Sequence, residues 1–388
     1  MKRSTDRILT THAGSLPRPD DLLAMIVART RGGSVDEAAF AARVKRAVAE
    51  TLRKEIDLGV DIVSDGEMGK PSFLTYVTDR LGGFEIDTGP PQGSPFAQSR
   101  EFKAFPEAYE ALARTTAPPR GLVRMICTGP ITYKGQSQLK TDLDNLRTGL
   151  QGLNPTEVFV PSVAPTSLED FNLNRHYKTA EEYVQAIAEA MREEYKAIVD
   201  AGFLLQIDDP HLATYYVLHP ELSVADVRRW GALRVEALNH ALRGIPEEKI
   251  RWHTCYGINM GPRVHDMELK DLVDLILKVR AGAYSFEAAN PRHEHEWAVW
   301  KDVKLPAGKI LIPGVITHSN VLVEHPELVA ERIGKYAEVA GRENVIAGAD
   351  CGFASTAETK EIHPTIVWAK FASMVEGARI ASKRLWGR

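Results

Sequence analysis

Residues 179–210 read TAEEYVQAIAEAMREEYKAIVDAGFLLQIDDP, and this stretch holds one complete unit of the fold. Thr179 and Glu182 have capping-box spacing, so a helix should begin there, and Gly202 stands where it should stop. The apolar run Phe203–Ile207 follows, closed by Asp208, Asp209 and Pro210, with the length of a buried strand. The same device recurs in both directions. Ile8–Thr11, Val60–Ser64, Leu122–Cys127, Ile250–Cys255, Tyr284–Phe286, Ile310–Val315 and Val345–Ala347 are short apolar runs ending in polar or glycine-containing turns. Helical patterns lie between them. Ser34 and Glu37 have capping spacing before an Ala-rich stretch that should end at Gly59, and another helix should run from Ser223 to near Gly244. A ninth run, Val158–Val163, contains Pro161 and precedes Pro165. Proline lacks the ladder donor, so this run reads as an extended loop rather than a central strand. Eight strand–helix repeats predict an α/β chain folded as a single (β/α)8 TIM barrel. A doubly wound sheet is the alternative, but no G-x-G-x-x-G follows the first strand. Gly82–Pro119 is rich in Pro, Gly and Phe and too long for a connection. It reads as an insertion, at about residues 82–119, over one face of a single domain spanning residues 1–388.

Composition removes several function classes. With 48 basic and 52 acidic residues mixed along 388, the chain lacks the basic footprint of a nucleic-acid binder. No apolar stretch approaches the roughly 18 residues of a membrane span. The start, MKRSTDRILTTHAGS, has no apolar signal core, so a cytoplasmic enzyme is expected. Three widely spaced cysteines, Cys127, Cys255 and Cys351, do not form a disulfide framework.

Barrel enzymes carry their chemistry at the C-terminal ends of strands. The polar residues expected there are His12, Ser15, Asp65, Glu67, Thr132, Asp208, Asp209, His253, Cys255, Glu287, His318, Asp350 and Cys351. His253 and Cys255 are two apart on one strand and face the same way. Glu287 closes the next strand and Cys351 the last. Nitrogen, sulfur and carboxylate oxygen are zinc ligands, and two thiolates favour zinc over magnesium or calcium. Their wide spacing suits ligands delivered by separate strands. On spacing alone the alternative stays open that these cysteines are small buried packing residues.

Eight motifs then occur in a telling order: TTHAGSLPRP, SDGEMGK, TGPIT, QIDDP, HTCYG, SFEAANPR, GVITHS and AGADCGF. Their sequence, from Thr10 to Phe353, resembles the catalytic barrel of cobalamin-independent methionine synthases. The resemblance implies the same barrel (shared with uroporphyrinogen decarboxylase-type enzymes) and a zinc site at His253, Cys255, Glu287 and Cys351. It implies that Ala13, Gly14, Ser15, Glu67 and Asp208 hold homocysteine, the two acids taking its ammonium, and that His318 is the catalytic general acid. Two thiolates and a carboxylate around zinc form an electron-rich site, suited to alkylating a bound thiolate rather than to hydrolysis. The implied reaction is S-methylation of homocysteine to methionine, with Zn(2+) as cofactor and a small-molecule thiol and a methyl or alkyl donor as partners.

One departure opens an alternative. The family stacks its folate donor on a tryptophan shortly after the GP(V/I)T motif. Here TGPITYKGQSQ puts Gln136 near that position, with Tyr133 the nearest substitute. The chain also resembles epoxyalkane:coenzyme M transferases, in which the thiolate opens an epoxide and His318 would protonate the alkoxide. The Gly82–Pro119 insertion and the Pro155–Asn174 loop are expected to shape the donor pocket. His12, His211, His265, His293 and His295 read as structural, and NPRHEHEW as a charged loop in which Arg292 could meet an anionic group.

Overall fold

In a computed structural model, residues 1–87, 95–115, 124–257, 261–357 and 362–387 are described. Their strands are β1 (Leu9–Thr10), β2 (Ile62–Val63), β3 (Leu81–Ile86), β4 (Met125–Tyr133), β5 (Glu157–Val163), β6 (Leu173–Asn174), β7 (Leu204–Asp208), β8 (Ile250–Thr254), β9 (Ala283–Phe286), β10 (Ile310–Ile316) and β11 (Ile346–Ala349). Eight of them form one parallel sheet in the order β1-β11-β10-β9-β8-β7-β5-β2. Between its two ends the Asp61 N–H donates to the Thr10 carbonyl at 3.2 Å. The sheet therefore nearly closes into a barrel, with the helices around it.

The helices follow the end signals read in the sequence. The Thr179 side chain accepts from the Glu182 N–H at the start of the helix Ala180–Asp200, and Gly202 beyond its end takes φ +95°. Gly59 closes the helix Glu37–Leu58 in the left-handed conformation. The start of that helix differs from expectation. Its cap is Asp36, whose carboxylate accepts from the Ala38 and Ala39 N–H groups, so Ser34 stays outside the helix. Ser223 and Asp226 form a reciprocal capping box ahead of Val224–Ala241.

Two strand assignments reverse. Val158–Val163, expected as a loop because of Pro161, belongs to β5 and sits between β2 and β7 in the barrel. Pro161 is harmless there for a geometric reason. Its carbonyl accepts from Lys70 Nζ and so points away from β7, toward the side where β2 has already ended at Val63. The missing N–H points the same way and removes no ladder bond. Conversely, the run Leu122–Cys127 is not a barrel strand. Residues 122 and 123 lie outside the described residues; the rest opens β4, which pairs antiparallel with β3 and parallel with β6 in a separate three-stranded sheet. Of the segment 82–119, residues 88–94 and 116–119 lie outside the described residues. The described part supplies β3 and the helices Arg100–Ala104 and Pro106–Thr115.

The barrel interior changes character along its axis. Leu9, Ile62, Phe159, Leu204, Ala283, Ile310, Ile312 and Ile346 pack into an apolar plug at the N-terminal ends. Above it lie Gln206 and Arg251, which are cross-strand neighbours. Arg251 is fully buried, donates to Thr11 Oγ1 and the His12 carbonyl, and lies 4.0 Å over the Phe159 ring. Two residues further along the same strands come Asp208 and His253, again neighbours. The period of two lifts these side chains onto the plug and into the mouth.

Candidate metal centre and acceptor pocket

His253, Cys255 and Cys351 converge at the mouth, and their nitrogen and sulfur atoms lie within 4.8 Å of one another. The two sulfurs, 96 residues apart in sequence, are 3.3 Å apart. His253 Nδ1 is held at 3.1 Å by Ser285 Oγ on the adjacent strand, while Nε2, although buried, has no hydrogen-bond partner among the described residues. An orphaned buried imidazole nitrogen beside two thiols is the donor set of a soft divalent metal, and it fits zinc. Burial, then Arg251 and His318, push the His253 pKa down to about 3, so the ring is neutral and its lone pair available.

The fourth expected ligand, Glu287, lies outside that group of three. Its carboxylate accepts from the Tyr256 N–H at 2.8 Å and from the Asn290 side-chain amide. Arg263 Nη1 is 3.9 Å away. Glu287 is thus next to the ligand strand, bonded to the residue after Cys255, and turned toward Asn290. Asp350, beside Cys351, braces this region: its Oδ1 accepts from the Ala288 and Ala289 N–H groups at 2.7 and 2.8 Å. Gly314 lets it in, since a Cβ there would meet Asp350 Oδ1 at 2.0 Å.

His318 is buried, and among the described residues its Nδ1 has no hydrogen-bond partner. Burial, then Arg263, bring its pKa down to about 4. His293, read in the sequence as a structural histidine in a charged loop, is a buried clamp. Its Nδ1 lies 2.9 Å from Glu296, its Nε2 lies 3.1 Å from Asp266, and its ring stacks on Tyr256. Asp266 in turn holds Arg263. Arg292 donates to the Val264 carbonyl.

The second cluster lies where β1, β2 and β11 end. Ser15 Oγ donates to Glu67 Oε2, and the Ser15 carbonyl accepts from the Phe353 N–H at 2.9 Å. Gly352 packs against Ser15 so closely that a Cβ would come within 2.8 Å of Ser15 Cβ. The Ser15 loop therefore abuts the segment that carries Cys351. Glu67 has φ +57°, the left-handed region that side chains avoid, and Arg18 grips the Glu67 and Lys70 carbonyls to hold that turn. Gln206 Nε2 joins the two sides, donating to the Ala13 carbonyl at 2.6 Å and to Asp208 Oδ1 at 2.7 Å. Gly14, at φ +123°, lies too close to Pro161 for a side chain.

Sequence reasoning missed two residues here. Lys70 Nζ is 3.0 Å from Glu67 Oε1, so Glu67 is already ion-paired. Gln206 could have been found from its two-residue offset from Asp208, and Lys70 from its three-residue offset from Glu67 in GEMGK. The two acids also differ. Burial pushes Glu67 up, but Lys70 and Ser15 outweigh it and hold the pKa below its ordinary value. For Asp208, burial and then the Glu67 charge raise the pKa well above the carboxylate range.

Thr132 and its motif are not at the mouth. TGPIT lies on β4, where Thr132 is exposed and pairs opposite Gly82. Tyr133 is buried with its hydroxyl on Glu194 at 2.7 Å, and Gln136 bonds Glu193. Gln136 has no ring, and the Tyr133 ring is buried, so neither presents a free stacking face. The turn after β5 takes the place at the mouth, with Thr166 and Ser167 fully buried.

Residues 165–379, more than half of the chain, match the family model described as "Cobalamin-independent synthase, Catalytic domain". The chain belongs to the cobalamin-independent methionine synthase family. Similar relatives run nearly end to end. A methionine synthase of Thermococcus kodakarensis is 27% identical over 378 residues, covering 97% of this chain and 94% of the relative. One of Saccharolobus solfataricus is 26% identical, covering 97% of this chain and 95% of the relative. The same fold appears in a B12-independent methionine synthase from Shewanella sp. W3-18-1, solved in complex with selenomethionine. It has a TM-score of 0.74 and 19% identity, covering 98% of this chain and all of that one. Among the described residues no helix is long and apolar enough to cross a membrane.

Proposed function

We propose that this chain is a zinc-dependent thiol S-methyltransferase that makes methionine from homocysteine. The observation that carries the reading is the buried convergence of His253, Cys255 and Cys351, with the His253 Nε2 left without a partner among the described residues. The relatives named methionine synthase, matched over 97% of this chain, favour homocysteine as the thiol. Zinc, when bound, supplies a Lewis acid that keeps an incoming thiol deprotonated yet nucleophilic. His253, Cys255 and Cys351 would hold it, and Glu287 would join as fourth ligand by exchanging Asn290 for the metal.

The remaining groups bind and orient. Ser15, which follows Ala13 and Gly14, lies against the segment carrying Cys351, so an amino acid held there would present its sulfur toward the thiols. The Ser15 loop would take the substrate carboxylate, and Glu67 and Asp208 its ammonium. His318 would deliver a proton from its ring to the nitrogen that departs from the methyl donor. Burial keeps that ring neutral at rest, with a pKa of about 4, so it would take up a solvent proton as the nitrogen departs and pass it on to that nitrogen.

Calorimetric titration of the zinc-loaded protein with homocysteine, and separately with coenzyme M, tests the reading. Saturable homocysteine binding with a proton released supports it. Binding of coenzyme M alone would move the assignment to epoxide opening, and binding of neither would overturn the thiol assignment.

A further inference from the structure

Glu67 is not a free anion waiting for an ammonium. Lys70 Nζ lies 3.0 Å from its Oε1, and Ser15 Oγ occupies Oε2. Lys70 is itself buried and fixed from three sides: by Glu67, by the Pro161 carbonyl at 2.8 Å, and by the Tyr76 ring 4.1 Å below. Behind it, the Tyr76 hydroxyl donates to Glu194, and Glu194 pairs with Arg80 at 3.1 Å. Arg80 also holds Asp142, and Asp65 lies near Lys70, but among the described residues Glu67 is the carboxylate bonded to the Lys70 ammonium. On the other side, Asp208 is bonded to the Gln206 amide and, among the described residues, has no cation in hydrogen-bond reach.

We propose that Lys70 is a specificity-determining residue: by holding Glu67 in a neutral buried pair, it sets the acceptor site to take a zwitterionic amino-acid thiol and to reject a purely cationic one. This rests on the assignment of Ser15, Glu67 and Asp208 to the acceptor pocket. The physical reason is charge balance in a site with little water. A lone Glu67 would attract any ammonium. A Glu67–Lys70 pair offers one oxygen to an ammonium and a positive field to a carboxylate, and an amino acid brings both. An amine without a carboxylate competes with Lys70 for Glu67 and has no group of its own to answer the Lys70 charge. The low pKa of Glu67 agrees with a charged pair rather than a shared proton.

The test compares homocysteine with aminopropanethiol, which is homocysteine without its carboxylate, by calorimetry on the zinc-loaded protein. The wild type should prefer homocysteine. In Lys70→Met the ratio of the two affinities should fall by about tenfold or more, through weaker homocysteine and stronger aminopropanethiol binding, and Lys70→Arg should keep the wild-type ratio. Glu67→Gln carries the mirror test should the first variant not fold: it leaves the cation unbalanced, so aminopropanethiol should lose more affinity than homocysteine. An unchanged ratio in the variants would overturn the role given to Lys70 alone. A wild type that binds neither thiol would overturn the acceptor pocket on which it rests.

Discussion

Replacing His293 with Gln should destabilise the protein strongly in mild acid and weakly in base. His293 bridges two buried carboxylates, Asp266 and Glu296, at 3.1 and 2.9 Å. Burial opposes a charge on the ring, but the two carboxylates outweigh it and lift the pKa to about 9. Against an ordinary value of about 6.5, this is a preference of about 3 kcal/mol for the imidazolium in the folded state. Because the folded pKa is raised, that stability is fully present below about pH 6.5 and is lost as pH rises through about 9. The glutamine is neutral throughout and can satisfy only one carboxylate well. Urea unfolding of the two proteins should therefore differ by about 3 kcal/mol near pH 6. Near pH 10 the gap should shrink to about 1 kcal/mol, the loss of ring stacking on Tyr256. A gap that stays constant, or grows with pH, would refute a charged His293.

His318→Asn should leave thiol affinity intact and slow alkyl transfer by about 10²–10⁴-fold, since only the acid is removed; single-turnover rates beside calorimetric affinities check this, and equal losses in both would sink the role. Gly314→Ala forces a methyl to within 2.0 Å of Asp350 Oδ1 and should cost about 1–3 kcal/mol by chemical unfolding. It should also loosen the Ala288–Ala289 turn that Asp350 holds, seen as faster amide exchange there. Unaltered exchange at those two residues would mean that the brace is dispensable.

The barrel was legible because its punctuation is local. Thr179, Gly59 and Gly202 act through their own backbones and nearest turns, so the sequence carries their signal without help from the fold. The errors came where one residue's effect depends on a partner far away. Pro161 reads as a strand breaker until β2 is seen to stop at Val63, and Leu122–Cys127 has the apolar content of a barrel strand until β4 is seen pairing with β3. His253, Cys255 and Cys351 were expected together because barrel geometry brings strand ends together whatever their separation in sequence, and the family resemblance implied them as ligands; the structure groups these three. Glu287 was placed correctly at its strand end, but its turn toward Asn290 depends on a rotamer that spacing cannot specify. Lys70 and the His293 clamp escaped for a different reason. A lysine three residues from a glutamate, or two histidines among acids, is ordinary on a surface and becomes informative only when burial removes the water around it.

The central claim is that Cys351 and Cys255 hold one metal together with His253. The direct measurement is the zinc content and competition-determined zinc affinity of the wild type beside Cys351→Ser, after both are dialysed against a chelator. The wild type should retain one zinc per chain, and the variant should lose most of it while keeping the helical signal of the folded barrel. A folded Cys351→Ser protein that still carries stoichiometric zinc at wild-type affinity would contradict the account.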